Sequence, residues 1–123
     1  MFQGLRTVIY HAPDLAAAKE WYATALGVQP YFAQPFYVGF DIGGFELGLD
    51  PNATPSTGGT GVLAYWGVPD CAAAYARLLE LGATELGGVQ DVGGGIQVAS
   101  VRDPFGNALG IIENPGFSIE KVR

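Results

Sequence analysis

The spacing of apolar positions changes its period twice along the chain, in the same way each time. Thr7-Val8-Ile9-Tyr10 has the β-rich character of a strand, and after it Leu15, Ala18, Trp21, Tyr22, Ala25 and Leu26 recur at helical spacing. Leu63-Ala64-Tyr65-Trp66 repeats the first pattern, and Cys71, Ala74, Tyr75, Leu78 and Leu81 repeat the second. Each period change predicts a strand followed by a helix with one apolar face.

The two occurrences are copies of one unit. His11-Ala12-Pro13-Asp14-Leu15-Ala16-Ala17-Ala18 returns 56 residues later as Gly67-Val68-Pro69-Asp70-Cys71-Ala72-Ala73-Ala74. Asp14 and Asp70 suit the first turn of each helix, where a carboxylate accepts from free amides and meets the positive end of the dipole. Gly27 and Gly82 suit the ends. Strands and tight turns follow each helix, and the closing segments align as well, Phe45–Pro51 against Leu109–Pro115. Each half therefore reads βαβββ.

The predicted fold class is α+β: two βαβββ modules forming a curved mixed sheet with a central cleft, helices on the outside. The chain is expected to be one domain, with module one at 1–51, a Pro-, Thr- and Gly-rich linker at 52–61 and module two at 62–123. Modules of about fifty residues are too small to be separate domains.

Composition narrows the function. Charged residues are only 15% of the chain, but no apolar run approaches the roughly 20 residues of a membrane helix. No basic segment followed by an apolar stretch opens the sequence, so a soluble, cytoplasmic protein is expected. The net charge of −6 disfavours nucleic acid, whose phosphates are bound by Lys and Arg. The single cysteine, Cys71, and the single histidine, His11, leave no internal disulfide and no Cys- or His-rich metal cluster. Cys71 lies on an apolar stripe and reads as core; His11, before Pro13, reads as a strand-end or capping group.

The repeated βαβββ pattern, the Pro-Asp-Leu-Ala-Ala-Ala helix start running to Trp21-Tyr22 and Leu26-Gly27, and the closing Asp103-Pro104-Phe105-Gly106-Asn107 together resemble the vicinal-oxygen-chelate superfamily, of the glyoxalase and bleomycin-resistance type. The resemblance covers nearly the whole chain. It implies one of several functions: glyoxalase, extradiol dioxygenase, fosfomycin-modifying enzyme, epimerase, or a drug-binding protein that sequesters bleomycin. It also implies a homodimer. The metal-using members resemble one another in four ligand positions, which fall here on Thr7, Glu46, Leu63 and Gly110. Only Glu46 binds a metal well, so no metal cofactor is expected beyond a weak divalent ion at Glu46.

The pair Gly43-Gly44 predicts a two-residue hairpin turn. Its register places Glu46 with Asp41, Gly39 and Tyr37 on one face, and Leu47 with Phe40, Val38 and Phe36 on the other, the core face. Alternation then puts Thr7, Ile9 and His11 on the cleft side, with Tyr65 beside Leu63 and Ile112 beside Gly110. Glycines 39, 48 and 110 are expected to leave room for a ligand. The expected partner is a small, partly aromatic or cationic molecule. Its binding residues would be Thr7, Ile9, Tyr37, Glu46, Gly48, Leu63, Tyr65, Gly110 and Ile112, with Tyr37 and Tyr65 as stacking surfaces and Glu46 as anchor.

Glu46 has two readings. It is either a solvated hairpin end, or it shares the cleft with Asp41, where repulsion would raise one pKa and supply a base. The alternative to a binding protein is a glyoxalase-like lyase or dioxygenase-like enzyme with an atypical site using Glu46. The run Gly93-Gly94-Gly95 reads as a turn, because nothing of a phosphate-binding loop follows it.

Overall fold

The computed structural model describes residues 1–53 and 63–121. Most of the predicted linker, from 54 to 61, lies outside the described residues. Module one contains β1 (Thr7–His11), α1 (Leu15–Leu26), β2 (Phe32–Gln34), β3 (Tyr37–Ile42) and β4 (Phe45–Asp50). Module two repeats the order with β5 (Tyr65–Gly67), α2 (Cys71–Glu80), β6 (Thr84–Asp91), β7 (Gln97–Arg102) and β8 (Ala108–Glu113). Among the described residues, no helix is long and apolar enough to cross a membrane.

The helix boundaries follow the local chemistry. The Asp14 carboxylate accepts from Ala17 N at 3.1 Å and the Asp70 carboxylate from Ala73 N at 3.1 Å, each satisfying an amide that the first turn leaves free. Gly27 ends α1 in the left-handed region at φ 71°.

Each module builds its own four-stranded mixed sheet, ordered β1-β4-β3-β2 and β5-β8-β7-β6. The first and last strands of each module run parallel, β1 with β4 and β5 with β8. Alternation then sorts the side chains. Tyr10, Val38, Phe40, Leu47 and Leu49 pack with Ala18 and Tyr22 of α1 in a core that also takes in Cys71, Leu78, Val101 and Ile111 of module two. Cys71 is fully buried there, and burial pushes its thiol pKa up, as expected for a core cysteine.

One residue departs from the predicted alternation. Phe36 was expected on the core face with Val38, but it is 65% exposed, in the turn between β2 and β3. Pro35 and Phe36 form that turn, so the pleat that governs Val38 and Phe40 begins only at Tyr37.

The modules are joined by polar groups as well as by the apolar core. The β7–β8 turn holds Asp103, 3% exposed, whose carboxylate accepts from Tyr22 Oη of α1 at 2.5 Å, Asn107 Nδ2 at 2.9 Å, Asn107 N at 2.8 Å and Phe105 N at 2.9 Å. Asn107, fully buried, then spans the backbone of β1: its Oδ1 accepts from His11 N at 3.0 Å and its Nδ2 donates to His11 O at 2.7 Å. Two indoles add to the junction. Trp21 Nε1 donates to Leu81 O at 2.7 Å, and Trp66 Nε1 donates to Tyr10 Oη at 3.0 Å. Tyr10 and Trp66 occupy matching positions of the 56-residue repeat. Burial pushes the Tyr10 phenol up to about 12.

Asn107→Ala strips the His11 amide and carbonyl of a partner and leaves one Asp103 oxygen to Tyr22 alone. With each buried unpaired polar group costing about 1–3 kcal/mol, the expected loss is at least about 2 kcal/mol, read as a lower urea midpoint. A loss below about 1 kcal/mol would mean that water replaces the amide.

Candidate functional site

The helix-free face of the first sheet carries the side chains that alternation turns away from the core. Parallel pairing sets Thr7 opposite Glu46 and Ile9 opposite Gly48, while the β3–β4 hairpin sets Asp41 opposite Glu46 and Gly39 opposite Gly48. The hairpin turn is Gly43-Gly44, with φ of 61° and 90°, the left-handed values such a two-residue turn needs.

Three hydroxyls converge on the Glu46 carboxylate. Thr7 Oγ1 and Tyr37 Oη each donate to its Oε1 at 2.7 Å, and Tyr31 Oη donates to its Oε2. The Tyr31 hydroxyl is the main reason the Glu46 pKa lies below the usual carboxylate value; partial burial opposes it, and Tyr37 and Thr7 reinforce it. Reciprocally, Tyr37 is pushed up to about 12, first by desolvation and then by its bond to Glu46. This corrects the expectation that repulsion from Asp41 raises a pKa to make a base. Asp41 instead caps the hairpin turn, accepting from Gly44 N at 2.9 Å. Among the described residues, no basic side chain pairs with Glu46. Among the described residues the one ion pair is Arg77–Glu80, and the Arg6 guanidinium donates to Leu5 O and Gln3 O.

The glycines expected to leave room are covered by the protein's own rings. A β-carbon at Gly48 would overlap the Tyr37 hydroxyl and lie 2.7 Å from Tyr37 Cζ; one at Gly39 would lie 2.7 Å from Glu46 Oε2 and 3.1 Å from the Tyr31 ring. At Gly110 it would lie 2.8 Å from the Tyr65 ring and 2.6 Å from Ala64 O. These glycines therefore allow tyrosines to lie flat on the sheet.

The sequence-predicted residues fall into two groups. Thr7, Ile9, Tyr37, Glu46 and Gly48 adjoin one another on the first sheet, and Tyr65, Gly110 and Ile112 lie on the second. Leu63 precedes β5, and the residue opposite Gly110 is Tyr65. Tyr31 and Phe32 were not singled out from the sequence, and Phe36 was read only as core. Their signal was available: four aromatics stand within residues 31–37. His11 Nδ1 is buried without a hydrogen-bond partner among the described residues, while the His11 backbone is held by Asn107.

Two concavities lie elsewhere. One of about 370 Å³ separates α1 from the β2–β3 turn, beside Leu15, Lys19 and Pro35; the other, about 250 Å³, lies between the modules beside Tyr22, Trp66 and Leu78. Neither is lined by a sequence-predicted site residue.

The fold and this open face place the protein in a known class. The family model for the glyoxalase/bleomycin resistance protein/dioxygenase superfamily matches residues 4–111, and the chain belongs to that superfamily. Solved structures share its fold. A glyoxalase-related enzyme from Fulvimarina pelagi is 21% identical, with 98% of this chain and 95% of that one covered at a TM-score of 0.76. A glyoxalase/bleomycin resistance protein from Albidiferax ferrireducens is 24% identical, covering 89% and 98% at 0.69. A bleomycin resistance determinant encoded on transposon Tn5 is 20% identical, covering 91% and 98% at 0.67. No curated protein sequence matches the chain.

The donor set does not fit the metal that some members of such a superfamily use. Of Thr7, Glu46, Leu63 and Gly110, only Glu46 offers an anionic donor, both of its oxygens are engaged by hydroxyls, and the Tyr65 ring lies across Gly110. Among the described residues, no three His, Cys, Asp or Glu side chains are grouped to hold an ion.

Tyr31→Phe removes the strongest influence holding the Glu46 pKa down, so that pKa rises toward the ordinary value of about 4.3 in a carboxyl NMR titration. An unmoved midpoint would show that the Tyr31 hydroxyl does not hold the carboxylate. Because the folded pKa is lowered, the stability Glu46 contributes is present above the ordinary carboxylate range and lost as pH falls through the folded value. The stability difference between wild type and Glu46→Gln therefore shrinks on acidification. Gly48→Ala drives the Tyr37 ring off the sheet and breaks its bond to Glu46, with an expected loss of about 1–3 kcal/mol from overpacking. A crystal structure of that variant with Tyr37 unmoved would refute the close contact.

Proposed function

We propose that the protein binds a small, partly aromatic or cationic molecule on the helix-free face of its first sheet, with Glu46 as the anchor and without a metal. The observation that carries this reading is the Glu46 carboxylate itself, held by Thr7, Tyr31 and Tyr37 and paired with no basic side chain among the described residues. Such a group keeps its charge at neutral pH and offers it to a cation. Tyr37 gives the ligand an apolar surface, and Ile9, 45% exposed, extends it along β1.

The same geometry favours binding over acid–base catalysis. A general base works best with a pKa near the operating pH, whereas hydroxyl donors move Glu46 the other way. The proposed assembly is a homodimer in which a second copy covers this open face. Leu63, just before β5, and Tyr65, Gly110 and Ile112 of the second sheet are the residues we assign to the remaining wall. Support comes from Ile9 and Tyr65, apolar strand residues left nearly half exposed in one copy. A bleomycin resistance determinant among the structural relatives agrees with a binding role.

The test is calorimetric titration with a panel of cationic aromatic compounds, and with neutral and anionic compounds of the same shape. Saturable binding of the cations is expected, weakened about tenfold, or about 1.4 kcal/mol, by Glu46→Gln. Equal binding of cations and anions, or an unaffected Glu46→Gln variant, would rule out Glu46 as the anchor.

A further inference from the structure

The sequence around Glu46 is unusually aromatic, and the fold gathers those rings on one face. The β2–β3 pairing places Phe32 opposite Gly39, which puts Phe32 on the face that Gly39 shares with Tyr37 and Glu46. The Phe32 centroid lies 6.1 Å from that of Phe36 and 6.3 Å from that of Tyr37, both at steep angles, so the rings form walls and not a single stack. The Tyr31 ring lies over Gly39 and the Tyr37 ring over Gly48, and the hydroxyls of both reach Glu46. Tyr31 and Phe36 are 63% and 65% exposed and keep aromatic surface open to a ligand.

The carboxylate in this surround is already hydrogen-bonded but, among the described residues, not neutralised. A carboxylate has about four acceptor positions, and hydroxyls of Thr7, Tyr37 and Tyr31 take three of them. A primary ammonium or a guanidinium brings several N–H donors that each need an acceptor, and the carboxylate has about one position left to give. A metal ion asks for still more oxygens. A cation without N–H groups needs none. It is held by charge and by the faces of aromatic rings, and both are present here.

We propose that the cationic group this site takes is a quaternary ammonium, seated against Tyr31, Phe32, Phe36 and Tyr37 with Glu46 as counter-charge. The inference rests on the reading of Glu46 as a cation anchor and narrows it to one chemical class.

Three probes of one shape separate the two: benzyltrimethylammonium, benzylammonium and benzyl alcohol, each titrated calorimetrically into the full-length protein. Benzyltrimethylammonium is expected to bind about fivefold or more tightly than benzylammonium, with benzyl alcohol weakest. Phe36→Leu, at an exposed turn position, is expected to weaken the quaternary probe about 2- to 5-fold while leaving the melting temperature unchanged. If benzylammonium binds as tightly as the quaternary probe, or more so, the quaternary assignment is overturned and the cation anchor stands. An unaffected Phe36→Leu variant overturns the role of the rings and the assignment with it. Equal binding of all three probes, or no saturable binding of any, overturns both the assignment and Glu46 as an anchor.

Discussion

The buried carboxylate of Asp103 is the constraint on which the arrangement of the two modules depends. A carboxylate 3% exposed is tolerable only when donors surround it, and here they come from Tyr22 of α1, from Asn107 and from the turn's own backbone. Asn107 extends the network by gripping both backbone groups of His11, so one end of β1 is fixed by a residue of the other module. The other end is fixed where Glu46 N donates to Arg6 O at 2.9 Å. Thr7 is thereby held opposite Glu46. The polar junction and the open face are two ends of one strand.

On that face the determining exchange is between glycine and tyrosine. A strand glycine normally weakens a sheet, since it packs nothing and has more backbone freedom to lose. At Gly48 the gap is filled by the Tyr37 ring, and at Gly110 by Tyr65. The phenol of Tyr37 can then reach along the sheet to Glu46 instead of standing away from it. A larger residue at Gly48 would leave the carboxylate with less support, even though Gly48 itself touches no charge.

Much of this was legible in the sequence, and the parts that were not have physical reasons. Asp14 and Asp70 were readable as caps because capping depends on residues three apart in the chain, and the β3–β4 register because a two-residue turn sets it. The pairing of Tyr65 with Gly110 was not legible, because no local turn fixes a parallel pair. Phe36 was misassigned because alternation was extended through a turn. One of the two readings of Glu46 looked to Asp41, its cross-strand neighbour, for a pKa shift, whereas the decisive donor, Tyr31, precedes β2. Asp103-Pro104-Phe105-Gly106-Asn107 reads as a good turn from sequence alone; nothing local tells that Asp103 and Asn107 point into the core.

Superfamily membership and the residues present lead in different directions at the ligand positions, and the difference has a simple basis. A metal site needs donors with free lone pairs converging on one point. The Thr7–Glu46 pair has the right place in the sheet, but its lone pairs are turned inward on each other and on two phenols. The corresponding place on the second sheet has a glycine with a ring over it. Hydroxyl donors neutralise no charge, so the arrangement leaves a carboxylate that is hydrogen-bonded and, among the described residues, unpaired in charge. What such a group attracts is decided less by its own chemistry than by the neighbouring surface, and on this sheet that surface is aromatic.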